Sequence, residues 1–345
     1  MENLLEILAT PKQIGILIGA GVSKACGLPN IEDLTREIRK TITNKDFIDL
    51  LTENDNVEVI LNRLNQLKQL LVEGNSFNNL SLTNVKEIEK IIKKTIYEKL
   101  SSQTDYKKIC SLVSWLNYNN KEFEKEIFTL NYDLLFEKAM EELSMPYFTG
   151  FIGNVKPFFV PDSVDDYNGI YVKKSWTKLW KLHGSLNYKK NPDGKIFIEN
   201  NISEDYDNLL VYPSIDKYIS SRKAPFISYL DRFRKYLLEN EKVLLVLGYS
   251  FGDEHVNEII INGLNNNSRL TVFIFAFDDR TYKNSIELMG VYPNVSIYSN
   301  EKKFINRKES TFECATNIGD FNNFINILDS LGIKKNTDHK DQKGE

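Results

Sequence analysis

Two apolar runs, Ile14 to Ile18 and Val243 to Leu247, each break into a glycine-containing turn and then into residues with helical spacing. Shorter apolar runs alternate with amphipathic segments between and after them. This pattern predicts an α/β fold, a Rossmann-like doubly wound parallel sheet, because strands covered on both faces read as continuous apolar runs and parallel strands need crossovers. Two stretches interrupt the alternation, so the sheet is expected to carry a helical insertion at about 46–120 and a smaller irregular insertion at about 147–213. One domain over 1–333 is expected, with a disordered polar tail at 334–345 that includes His339.

The 345 residues, 41% hydrophobic and 12% aromatic, are ample for a sizeable core. No apolar run approaches the roughly 20 residues of a membrane span, and the start, MENLLEILATPKQ, lacks the basic and long apolar regions of a signal peptide, so a cytoplasmic location is expected. A net charge of −4 argues against a protein built to grip nucleic acid directly. Lys173, Lys174, Lys178 and Lys181 cluster locally, and a solvated face is the commoner meaning of such a cluster. Cys26, Cys110 and Cys314 are scattered, without a C-x-x-C pair, so neither a disulfide framework nor a cysteine metal site is indicated.

In chain order, Asn3 to Ala9 suits one short helix ahead of the Ile14–Ile18 strand. Gly19, Ala20, Gly21 and Ser23 follow that strand; glycines allow a tight turn and close approach to a ligand, and N–H groups at a helix start attract phosphate. Read alone, any strand entering a helix would look the same. The third glycine of G-x-G-x-x-G is replaced by Lys24, and no G-K-[ST] is present, so neither a dehydrogenase fingerprint nor a P-loop is indicated. Ile31, Leu34, Ile38 and Ile42 have helical spacing, and three further amphipathic segments, with no strand signal between them, fill 46–119.

Residues 126–130 form the next strand candidate and lead into Asn131, Tyr132 and Asp133. Polar side chains at the C-terminal end of such a strand sit where open α/β sheets bind ligands, although an Asp there also caps helices. In the irregular stretch, NPDGK at 191–195 reads as a turn between two short strands, and Trp180 to Leu182 reads as a strand ended by His183 and Gly184. A lone histidine beside a glycine is more often structural than catalytic, yet few other imidazoles exist. A helix over 224–240 precedes the Val243–Leu247 strand and its turn, Gly248 to Asp253. Leu270 to Phe277 is another strand, residues 294–298 an edge strand, and Phe321 to Leu331 a closing helix.

Four segments in this order, GAGVSKACGLP (19–29), TLNYD (129–133), LHG (182–184) and GYS (248–250), resemble the sirtuin-like family of NAD-consuming enzymes. The resemblance implies that Gly19, Ala20, Gly21 and Ser23 hold the pyrophosphate and adjacent ribose of NAD, and that Gly27 and Pro29 shape the loop at the nicotinamide end. It places Asn131 and Asp133 beside the nicotinamide and its ribose, makes His183 the general base, and puts Gly248 and Ser250 at the adenosine side. Protein-deacylating sirtuins continue with Asp-Phe-Arg where this chain has Asn30, Ile31 and Glu32, and their four-cysteine zinc ribbon cannot be built from three scattered cysteines.

The segment GYSFGDEHVNEI looks instead like the bacterial antiviral-defence branch, whose members hydrolyse NAD, often beside a second subunit such as a HerA-type ATPase. The resemblance therefore implies an NAD glycohydrolase releasing nicotinamide and ADP-ribose in abortive infection, with NAD as substrate and no metal; the helical stretch at 46–119 is the candidate for assembly as a homo-oligomer or for partner contact. Protein deacylation, ADP-ribosyl transfer and a non-catalytic NAD or ADP-ribose sensor are the alternatives.

Overall fold

The structure, a computed structural model, describes residues 4, 8–10, 13–71, 74–119, 122–165, 170–200, 209–211 and 224–330. The elements that frame the sheet are β1 (Ile14–Ile18), α1 (Ala20–Ala25), α2 (Ile31–Thr41), α3 (Val57–Leu70), α4 (Leu82–Leu100), α5 (Lys107–Asn119), β2 (Lys125–Thr129), α6 (Leu135–Glu142) and β3 (Tyr147–Phe148). They continue with β4 (Thr177–Lys181), β5 (Gly184–Lys190), α7 (Phe226–Leu238), β6 (Val243–Leu247), α8 (Glu254–Asn266), β7 (Thr271–Phe275), α9 (Asp279–Met289), β8 (Val295–Tyr298), β9 (Lys302–Ile305) and β10 (Lys308–Thr311).

Among the described residues the main sheet has nine strands in the order β10-β9-β8-β7-β6-β1-β2-β4-β3. Every pair from β8 to β3 is parallel, and only β9 and β10 run antiparallel. This is the Rossmann-like α/β sheet that the apolar runs predict. Successive side chains of a strand point to opposite faces. Accordingly Ile16, Ile18, Leu245 and Leu247 join one apolar cluster, while Leu17, Leu244 and Val246 join the other. Both clusters are fully covered, which is why these strands carry no polar alternation.

The helices over 46–119 appear where their periodicity places them, but two features differ from the sequence reading. A two-stranded hairpin, Ser76–Phe77 with Leu80–Ser81, interrupts them; Asn78 and Asn79 make its turn at positive φ, where asparagine is tolerated. The helices are also integral to the core, since Ile60, Leu64, Ile92 and Leu112 share a cluster with Ile16 and Ile18.

The irregular stretch is more ordered than its sequence suggests. It supplies β3 and β4 to the main sheet, and β5 belongs to a second sheet of five short antiparallel strands. The NPDGK turn joins β5 to Ile196–Ile198 with Ile196 opposite Lys190. The strand expected at the edge, β8, is interior, because β9 and β10 extend the sheet beyond it through a turn at Asn306 and Arg307, both at positive φ. Charged residues in KKFINRKEST hide that hairpin from an apolar-pattern reading. Lys178 and Lys181, which a solvated cluster would leave exposed, are instead 7% and 1% exposed. The tail at 334–345 with its His339, and most of the segment Asn3 to Ala9, lie outside the described residues.

One charged group is sealed into the second cluster. Glu126 on β2 is 0% exposed and accepts hydrogen bonds from Trp180 Nε1 at 2.7 Å and Arg232 Nε at 2.9 Å. Burial alone would raise its carboxyl, but the Arg232 guanidinium holds it below the usual carboxylate range. Arg232→Met should therefore destabilise the fold by about 3–5 kcal/mol, because it strands a buried carboxylate; urea denaturation of the two proteins measures the difference.

Candidate active site

The chain leaves β1 for β2 and β4 on one side and returns to β6, β7 and β8 on the other, so the order of the sheet reverses between β1 and β6. Open parallel sheets bind ligands outside the C-terminal strand ends at such a point. Both glycine turns lie there, and they interlock. Gly19 N donates to Leu247 O at 2.9 Å and Gly21 N to Gly248 O at 2.9 Å. A Cβ on Gly19 would stand 2.4 Å from Gly248 O, and one on Gly248, at φ +63°, would stand 2.6 Å from Val22 N.

The need for glycine at 19 and 248 is thus set by the opposite turn. The Gly21 N–H expected to face a phosphate is already engaged. Ala20, Gly21 and Ser250 are exposed at the rim, whereas Gly19 is buried. Gly27, at φ +94°, ends α1 in a Schellman arrangement, with Leu28 N on Ser23 O at 3.0 Å and Gly27 N on Lys24 O at 2.9 Å. Pro29 follows, half-buried.

Beneath the turns lies a buried polar chain. Ser23 Oγ donates to Asp133 Oδ2 at 2.6 Å and accepts from Asn131 Nδ2 at 2.7 Å. The second Nδ2 hydrogen goes to Gly19 O at 3.0 Å. Because Gly19 O can only accept, the amide orientation of Asn131 is determined. Both of its donors are engaged internally, so Asn131 offers a ligand only its Oδ1 acceptor, not the donor and acceptor that its side chain suggests in sequence. Asp133 Oδ1 also accepts Leu135 N at 3.1 Å at the start of α6. Asp133 therefore closes a helix start and also holds Asn131 in place through Ser23.

Lys181, at the end of β4, locks this loop from below. Its Nζ bonds to Asp133 O, to Tyr132 O at 3.4 Å and to Glu137 Oε1 at 2.9 Å. Tyr132 itself holds a buried hydroxyl with no hydrogen-bond partner among the described residues. Burial pushes that phenol well above its ordinary range, and Glu58 and Asp253 add to the effect.

His183 closes β4, and its Nε2 lies 2.9 Å from Asp253 Oδ2. In the sheet β4 and β6 are separated by β2 and β1, about 14 Å at ~4.8 Å per strand. The contact between His183 and Asp253 thus spans the ends of both intervening strands. Cys26 also lies near, but burial, then Asp133 and Asp105, push its thiol up to about 12, so it stays protonated and is a poor nucleophile. Among the described residues no group of three or more His, Cys, Asp or Glu could hold a metal ion, and no helix is long and apolar enough to cross a membrane.

Residues 125–292 match the family model described as a SIR2-like domain. That stretch is thus similar to SIR2-like domains. It takes in Asn131, Asp133, His183, Gly248 and Ser250, but not the turn at Gly19. No curated protein matches the sequence. Among solved structures, a Sir2 homologue in complex with NAD is similar at 14% identity, over 97% of this chain and 94% of that chain, with a TM-score of 0.48. A sirtuin studied for substrate affinity gives 14% identity, 79% and 86% coverage and a TM-score of 0.42. A Sir2 enzyme studied for mechanism and regulation gives 12%, 79%, 84% and 0.41.

Lys181, Tyr132 and Asp253 are site residues that the sequence reading gave no role. A lysine closing the buried strand TKLWK was a legible signal, since a charge is rarely buried without a partner. Gly248→Ala should destabilise the protein by ~1–3 kcal/mol or more, because the new Cβ meets backbone. Gly252→Ala in the same turn should be nearly neutral, its Cβ meeting only Ser250 Oγ at 3.8 Å. Thermal melting of the two variants compares them.

Proposed function

We propose that this protein is an NAD glycohydrolase, cleaving NAD to nicotinamide and ADP-ribose. The observation that carries the reading is the placement of Asn131 and His183 on neighbouring strands, at the same sheet edge as the interlocked glycine turns. The SIR2-like match over 125–292 supports NAD as the substrate. Ala20, Gly21 and Ser250 at the rim would meet the pyrophosphate and adenosine portions, with Gly19, Ser23 and Gly248 shaping the floor. Gly27 and Pro29 would border the nicotinamide end.

The chemistry asks little covalent help from the protein. The nicotinamide ring of bound NAD already carries positive charge, so the bond between its nitrogen and ribose C1′ breaks with the electron pair leaving on neutral nicotinamide. Water adds to the oxocarbenium-like C1′ and its proton passes to His183, a step that general bases accelerate by roughly 10² to 10⁴. Asn131 Oδ1 would accept from a ribose hydroxyl or from that water, and Asp133 would hold Asn131 in place through Ser23.

The GYSFGDEHVNEI segment supports a role in bacterial antiphage defence, with NAD depletion in the cytoplasm as the abortive step, in a homo-oligomer and beside a second subunit such as a HerA-type ATPase. Purified protein incubated with NAD should release nicotinamide and ADP-ribose in equal amounts, followed by chromatography. Asn131→Ala and His183→Ala should lower the rate by ~10²-fold or more with unchanged melting. An acyl-ADP-ribose or a labelled protein in place of free ADP-ribose, or intact NAD even with the candidate partner added, would refute hydrolysis. Light scattering of the full chain should give a mass above the 40.0 kDa of one copy.

A further inference from the structure

We infer that Asp253 is a positioning residue that sets the tautomer of His183, holding the imidazole proton on Nε2 and leaving Nδ1 as the basic nitrogen. The use of that nitrogen in catalysis rests on the glycohydrolase reading; the tautomer does not. His183 Nε2 lies 2.9 Å from Asp253 Oδ2, and a carboxylate oxygen can only accept, so in neutral His183 the hydrogen must sit on Nε2 and the lone pair on Nδ1.

Asp253 is itself held firmly. It is 6% exposed, and its Oδ1 accepts His255 N at 3.1 Å and Val256 N at 3.4 Å, capping α8. Its own N–H donates to the Tyr249 hydroxyl at 3.2 Å, and that hydroxyl also bonds to Asn257 Oδ1 at 2.9 Å. Among the contacts of the described residues, one carboxylate oxygen meets the helix start and the other meets the histidine.

This division makes the consequence of Asp253→Asn specific. Two backbone N–H groups demand an oxygen on the Oδ1 side, so the new amide must turn its NH₂ group toward His183. A donor facing Nε2 forces the imidazole proton onto Nδ1, which removes the basic nitrogen while leaving the helix cap intact. Asp253→Ser keeps a good cap but presents no such donor in place of the carboxylate. If Asp253 served only the helix, the Asn and Ser variants would behave alike.

The test is ¹⁵N spectroscopy of histidine-labelled protein together with NAD turnover; the chain has three histidines, and His183→Ala identifies the resonances of interest. Wild type should show His183 protonated at Nε2, and Asp253→Asn should show it protonated at Nδ1. Turnover should fall by ~10²-fold or more in Asp253→Asn and by less in Asp253→Ser. Protonation at Nδ1 in wild type, an unchanged tautomer in Asp253→Asn, equal rates in the two variants, or a faster Asp253→Asn would each overturn the inference. Should wild type leave NAD intact, only the glycohydrolase reading fails, because the tautomer is still measured in the resting protein.

Discussion

The contact on which the site depends is the interlock between the turn after β1 and the turn after β6. Gly19 and Gly248 approach so closely that neither tolerates a Cβ, and Gly21 N–H bonds to Gly248 O across the junction. The register of β1 against β6, Ile18 opposite Leu247, delivers the two turns at the same height. Gly19 O, held in this junction, then receives Asn131 Nδ2, so the loop after β2 takes its position from the same contact. A shift of either turn would propagate to Asn131 and, through Ser23, to Asp133.

Below the interlock, the donors of the buried polar chain are almost all engaged. In a low-dielectric interior such satisfied networks hold one arrangement, because any alternative leaves a buried donor or acceptor unpaired. The Asn131 side chain keeps only its amide oxygen free of these internal bonds. The site is then best described by what its neighbours have already claimed.

The helices between β1 and β2 pack on the face of the sheet that carries Ile16, Ile18, Leu245 and Leu247. They connect the first glycine turn to the Asn131 loop through the core. Glu58, on α3, acts electrostatically on both Tyr132 and Tyr249, so this helical layer reaches the site as well as the core.

The parallel sheet and its reversal near β1 and β6 were legible, because doubly covered strands must be apolar throughout and glycine turns mark their ends. That Asn131, Asp133 and His183 stand just after such strands was legible too. The β9–β10 hairpin and the hairpin at 76–81 were not, since two-residue turns at Asn and Arg positions and short charged strands leave no apolar period. The place of Lys181 at the end of a buried strand was legible, but not its partners, the three oxygens around its ammonium group.

Sequence alone thus determined which residues stand at the ends of strands, because period and punctuation are local properties of the chain. Tertiary structure alone decided which of their atoms remain available. Asn131 loses its donors to Ser23 and Gly19, and His183 meets Asp253, 70 positions later in the sequence. Hydrogen-bond partners are set by the three-dimensional crossing of separate strands, and no spacing in the chain encodes which donor an acceptor will find.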